Sequence, residues 1–169
     1  WVDVDLSEKG VQEARRSGKL LKQLDINFDI CFTSYLKRAI DTLEIVLKVL
    51  GEKYEYTKAW ELNERHYGAL TGLNKKETEE KIGEEQFKKY RRSWDIPPPI
   101  LDKDSKYNFE KDPVYKGIKK IPQTESLKNT FDRVIPYFEK YMEKHLRLNK
   151  NVLLSAHGNT IRALVKKFL

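Results

Sequence analysis

The chain has 169 residues, 39% of them hydrophobic and 35% charged, with a net charge of +7 and a single cysteine. Those values describe one water-exposed globular domain with one core; they exclude a disulfide-stapled fold, and no apolar run approaches the ~20 residues a membrane span requires. The basic excess admits nucleic acid, an acidic membrane surface or small anionic ligands, but Lys75-Lys76, Lys88-Lys89, Lys119-Lys120 and Lys166-Lys167 are scattered pairs without interleaved aromatics. That is the pattern of a solvated face, so neither nucleic acid nor a membrane is the expected partner.

Taken from the N-terminus, Ser7 is a candidate helix cap. Val11, Ala14, Gly18, Leu21 and Leu24 follow on one stripe, which predicts a helix over 8–24. FDICFTS at 28–34 reads as a short buried strand, and Cys31 inside it as a core residue in a reducing compartment, hence a cytoplasmic protein. Ala39, Ile40, Leu43, Val46 and Leu47 mark a second amphipathic helix of about 15 residues. YEYTKAW at 54–60 alternates like a strand, and ELNERHYGALTGLN at 61–74 has the Asn and Gly content of a functional loop. A polar helix is predicted over 78–93. Residues 95–123 hold five of the six prolines and have no period, which predicts a long surface excursion. Leu127, Phe131, Val134, Ile135, Phe138 and Met142 predict a helix over 124–145, kinked at Pro136. A strand at 151–156 and a helix from Asn159 close the chain. Strands alternating with helices predict an α/β domain with a mostly parallel sheet, whose ligands sit at the C-terminal ends of the strands where helix N-termini converge.

Two of those corners carry cations in a first helical turn: Lys37 and Arg38 after the first strand, Arg162 after the last. A cation at a helix N-terminus opposes the helix dipole by about 0.3–1 kcal/mol, and an anion between the corners would reverse the sign. Taken singly, each arginine reads equally well as a surface charge. His157, beside Gly158 and with Asn159 as a candidate cap, reads as a structural histidine or as a donor to an oxyanion. Glu64 in Glu64-Arg65-His66-Tyr67 reads equally as a proton exchanger or as half of a loop salt bridge. Arg91-Arg92 reads as a partner for its helix's terminal carbonyls or as a clamp for an anion. Three histidines at 66, 145 and 157 with one cysteine give no metal-ligand spacing, so no metal is expected.

WVDVDLSEKG at 1–10, TSYLKRAIDT at 33–42, ELNERHYGALTGLNKKET at 61–78, YRRSWDIPPPI at 90–100 and SAHGNTIRALVK at 155–166 together closely resemble the cofactor-dependent phosphoglycerate mutases of the histidine phosphatase superfamily. The resemblance covers essentially the whole chain in order. It implies a three-layer α/β domain over 1–169 and interconversion of 3-phosphoglycerate and 2-phosphoglycerate, in glycolysis and gluconeogenesis, through a phosphohistidine primed by 2,3-bisphosphoglycerate. By motif match, Arg38 and His157 hold the transferring phosphoryl group, helped by the backbone at Gly158, and Glu64 exchanges a proton with the substrate hydroxyl. Tyr67, Lys75, Arg91, Arg92 and Asn159 fall where the family contacts phosphoglycerate, whose charge of about −3 calls for such a cationic pocket. A homodimer or homotetramer is implied, with 54–60 as a candidate contact.

The family's phosphoacceptor lies in an Arg-His-Gly motif upstream of the WVDVDLSEKG segment, and no Arg-His-Gly occurs in this chain. The expectation is therefore a sequence that starts after the N-terminal strand and stops before a further strand and tail, leaving a hole at the centre of the sheet. None of the three histidines replaces the nucleophile. Alternatives are a bisphosphoglycerate mutase or phosphatase on the same fold, or a non-catalytic protein that binds anions or nucleic acid.

Overall fold

A computed structural model of the chain describes residues 1–51, 53 and 55–169. The first helix, α1 (Glu8–Gln23), starts where the Ser7 hydroxyl accepts the Gly10 N–H, and it buries Ala14 and Gly18 on its inner face. Strand β1 (Ile30–Thr33) follows, then α2 (Lys37–Leu50), which ends at Gly51 in the left-handed conformation that glycine adopts without steric cost. Strand β2 is confined to Tyr56–Lys58; of the predicted strand over 54–60, Tyr54 lies outside the described residues. The polar helix predicted over 78–93 is two helices, α3 (Lys75–Ile82) and α4 (Glu84–Arg92). Asn74 caps α3 by accepting the Lys76 and Glu77 N–H groups, and Gly83, at φ 85° and ψ 151°, breaks the run.

The excursion 95–123 contains only two short 3₁₀ turns, Phe109–Lys111 and Pro113–Tyr115. Helix α5 (Leu127–Tyr137) contains Pro136 and passes into a π-helical stretch, Phe138–Met142, before α6 (Glu143–Arg147). The predicted kink is thus a change of helical register: proline has no N–H to continue the ladder, and the next turn widens. Strand β3 (Val152–Ser155) and α7 (Gly158–Phe168) complete the chain.

The described residues form two compact units. One, the sheet unit, comprises Asp3–Asn63 and Val134–Gly158; the other, the loop unit, comprises Trp1–Val2, Glu64–Arg133 and Asn159–Leu169. In the sheet unit the strand order is β2-β1-β3, all parallel, with Thr33 level with Lys58 on one side and Ser155 on the other. Because β1 bonds both neighbours directly, no gap separates these three strands. Cys31, Leu43 and Leu47 form a buried cluster against Phe28, Leu50, Tyr56 and Leu153, so the face of α2 read from the sequence is the face that covers the sheet. Burial pushes the Cys31 thiol up to about 11, which keeps it protonated and inert. Among the described residues no helix is long and apolar enough to cross a membrane, and no group of three metal-ligating side chains converges.

Candidate active site

In the sheet unit, the pairing of Thr33 with Ser155 puts the corner after β1 beside the corner after β3. The join is reinforced by side chains: Thr33 Oγ1 donates to the Ser155 carbonyl at 2.9 Å, and Ser155 Oγ donates to the Ala39 carbonyl in the first turn of α2 at 2.8 Å. Ser34, fully buried, bonds His157 Nε2 through its hydroxyl at 2.8 Å, while the same oxygen accepts the Leu36 N–H at 3.1 Å. His157 is therefore fixed by the opposite corner. At the start of α2, no side chain caps the helix from Leu36 and no acidic residue occupies the first turn. Lys37 is already neutralised, since its N–H is held by Asp3 at 2.7 Å and its ammonium by Asp5. Half-buried Arg38 is the other cation of that turn.

In the loop unit, the segment from Glu64 to Tyr67 is clamped from several sides. The Glu64 carboxylate accepts the Arg65 N–H at 2.7 Å. Arg65 is 1% exposed and spends one guanidinium nitrogen on the Tyr90 and Arg91 carbonyls at the end of α4, at 3.1 and 3.2 Å. Arg65, and not the Arg91-Arg92 pair, answers that helix's terminal carbonyls. Burial lowers the Arg65 pKa, an effect opposed by the nearby Tyr67 and Glu64 oxygens. The Tyr67 ring carries two guanidinium groups, Arg65 at 4.5 Å and Arg91 at 4.8 Å from its centroid. Its hydroxyl accepts from Asn159 Nδ2 at 3.1 Å, and Asn159 Oδ1 accepts from Arg162 at 3.1 Å. Because α7 starts at Gly158, Asn159 lies inside the first turn and is not its cap. Arg162 is correspondingly a support for Asn159. Lys75 opens α3 and Arg92 closes α4, both with exposed side chains.

His66 and His145 are committed to packing. His66 is fully buried, accepts the Gly68 N–H on Nδ1 at 3.0 Å, and packs against Trp1 and Phe109, and burial lowers its pKa to about 3. The His145 ring lies 6.2 Å from that of Phe32.

The model of the histidine phosphatase superfamily (branch 1) matches residues 1–169. The 2,3-bisphosphoglycerate-dependent phosphoglycerate mutase of Treponema denticola is 52% identical over 171 residues, covering 99% of this chain and 69% of that protein. The protein of the same name from Zymomonas mobilis is 53% identical over 167 residues, covering 98% and 73%. The chain belongs to the phosphoglycerate mutase family of the histidine phosphatases. Solved structures share the fold at lower identity: a mycobacterial glucosyl-3-phosphoglycerate phosphatase (TM-score 0.72, 20% identity, 99% of this chain and 69% of that one) and a phosphoglycerate mutase from Bacillus anthracis (TM-score 0.62, 24% identity, 99% and 70%).

Within this phosphoglycerate mutase chain, the sequence-predicted residues fall into two sets. Arg38, His157 and Gly158 belong to the sheet unit, and Glu64, Tyr67, Lys75, Arg91, Arg92 and Asn159 to the loop unit. Tyr67 is in direct contact with both Arg91 and Asn159. Residues the sequence reading passed over are Ser34, which holds His157, Arg65, which holds Tyr67 and the end of α4, and the pair Glu125–Arg133. Ser34 had a legible signal, a hydroxyl at the corner after β1; the others are buried polar groups whose partners are distant in sequence.

Proposed function

We propose that this chain carries out phosphoglycerate mutase chemistry, interconverting 3-phosphoglycerate and 2-phosphoglycerate with 2,3-bisphosphoglycerate as primer. The observation that carries the reading is the Ser34–His157 bond across the paired corners of β1 and β3, which supports a common phosphoryl site for Arg38 and His157. With Ser34 donating to Nε2, the ring proton of His157 sits on Nδ1 and serves a phosphoryl oxygen. Arg38 supplies a second charged donor, and the N-terminal N–H groups of α2 and the N–H of Gly158 add dipolar ones. Such donors stabilise the negative charge spread over a transferring phosphoryl group without requiring a metal.

Glu64, held through its bond to the Arg65 N–H, accepts and returns the proton of the substrate hydroxyl. The Tyr67 hydroxyl accepts from Asn159, so its own O–H proton is left to donate. Together with Arg91, Arg92, Lys75 and Asn159 it orients the carboxylate and the second phosphate. The donor-rich character of these side chains fits 2,3-bisphosphoglycerate as well as the monophosphates; when bound, it would supply the priming phosphoryl group, whose histidine acceptor is none of His66, His145 and His157. We further assign the protein to the cytoplasm and to a homodimer or homotetramer, with the open side of β2 as the contact.

The test is a coupled assay on the protein from the complete gene, with 3-phosphoglycerate and with or without catalytic 2,3-bisphosphoglycerate. The reading expects 2-phosphoglycerate to form in a primer-dependent way. Phosphate release without 2-phosphoglycerate formation would make the protein a phosphatase. No turnover, together with steeply salt-dependent binding to duplex DNA or RNA, would make it a nucleic-acid binder.

A further inference from the structure

The loop unit contains a bidentate ion pair between Arg133 and Glu125, Nε to Oε1 at 2.7 Å and Nη2 to Oε2 at 2.8 Å, with side chains only 7% and 3% exposed. A buried pair of this kind is a poor stabiliser, because desolvating both charges offsets most of their attraction, and apolar residues of similar volume often serve as well or better. What the pair touches is more telling. Arg133 Nη2 also donates to the Glu64 carbonyl at 3.4 Å, an oxygen that accepts the Trp1 indole N–H as well. Glu125 Oε2 accepts the His66 N–H at 2.8 Å, and the Glu125 N–H donates to the His66 carbonyl at 2.8 Å. The Trp1 ring lies 5.6 Å under the Arg133 guanidinium.

These bonds fall on particular peptide units. The unit joining Glu64 to Arg65 has two ends, the Glu64 carbonyl and the Arg65 N–H. Arg133 and Trp1 hold the carbonyl end, and the Glu64 carboxylate is bonded to the N–H end. Any rocking of that plane therefore swings the carboxylate. The following unit is held through the His66 N–H by Glu125. We infer that Glu125 and Arg133 are positioning residues for Glu64: they set the orientation of its carboxylate by fixing the peptide to which that carboxylate is bonded. The inference rests on the proposed role of Glu64 as the proton exchanger.

The test compares Glu64→Gln, the double variant Glu125→Gln/Arg133→Met, and the triple variant, using the protein from the complete gene. The double variant removes both charges together, so no unpaired ion is left buried. The expected result is a kcat lower by about 10- to 100-fold, since displacement of a catalytic group by ~1 Å is worth that much, with KM for 3-phosphoglycerate nearly unchanged. In the Glu64→Gln background the same double change is expected to lower kcat no further, a non-additivity that loss of structure alone does not produce. If the double variant does not fold, Arg133→Lys, which keeps the charge opposite Glu125 and loses the fork that also reaches the Glu64 carbonyl, is expected to show the same selective fall in kcat. A folded double or Lys variant with wild-type kcat, alongside a crippled Glu64→Gln, overturns the inference alone. A Glu64→Gln enzyme with wild-type kcat overturns the assignment of Glu64 and the inference with it.

Discussion

Replacing Ser34 with alanine removes one oxygen that serves two buried neighbours, the Leu36 N–H at 3.1 Å and His157 Nε2 at 2.8 Å. Ser34 is fully buried, Leu36 is 1% exposed and His157 8%, so water cannot readily replace the lost partner. A stranded buried polar group costs about 1–3 kcal/mol, and two of them with partial relaxation roughly 2–4 kcal/mol. With a urea m-value of about 2 kcal/mol/M, the unfolding midpoint of Ser34→Ala falls by ~1–2 M. Urea melts followed by circular dichroism measure this directly. The interaction itself is isolated by a double-mutant cycle with His157→Ala, whose coupling energy is expected to be about 1 kcal/mol or more. Single variants whose effects add to within ~0.3–0.5 kcal/mol would refute the claim that this hydroxyl holds His157.

Other outcomes follow from the same geometry. Arg38→Ala and His157→Ala are each expected to lower kcat by about 10²–10³-fold, whereas Lys119→Ala, in the surface excursion, leaves kcat near the wild-type value; steady-state assays with 3-phosphoglycerate compare them. Gly68→Ala forces a side chain onto a residue at φ 54° and sets its Cβ 2.2 Å from the Pro99 carbonyl oxygen, so it destabilises by about 2–4 kcal/mol in urea melts. Gly51→Ala, at φ 85° with open space around it, costs only about 1 kcal/mol by the same measurement. His66 is held neutral down to about pH 3 in the fold against an ordinary value of 6.5. Between those limits the unfolded chain binds the extra proton, so stability is highest above pH 6.5 and falls on acidification by up to about 1.4 kcal/mol per pH unit until about pH 3. His66→Asn is expected to flatten that part of the stability profile.

The apolar periodicity of α1 and α2 was legible because each has a single stripe, and the Ser7 cap and the Gly51 stop stand where their local chemistry demands. The reading of the two corners as anion sites drew on cations in a first helical turn, a placement that opposes the helix dipole. The break at Gly83 was hidden by a polar stretch with no apolar stripe to interrupt, and the widening after Pro136 by the fact that proline announces a disturbance without specifying its form. Asn159 read as a cap because amides favour that position; instead its bonds to Tyr67 and Arg162 engage both ends of the amide inside the first turn. Glu125 and Arg133 stand eight residues apart, about 12 Å along a continuous helix and too far to pair, so only the turn ahead of α5 discloses that they meet around the peptide of Glu64.

The claim on which everything else depends is that Arg38 and His157 hold one phosphoryl group between them. Titrating inorganic phosphate into protein labelled with ¹⁵N in histidine and arginine, with the side-chain resonances followed by NMR, tests it most directly. The account predicts that the His157 imidazole and Arg38 Nε signals move together with one Kd, and that Arg38→Ala weakens the response at His157. Signals that stay still at phosphate concentrations that shift other residues, or that titrate with unrelated affinities, would contradict it.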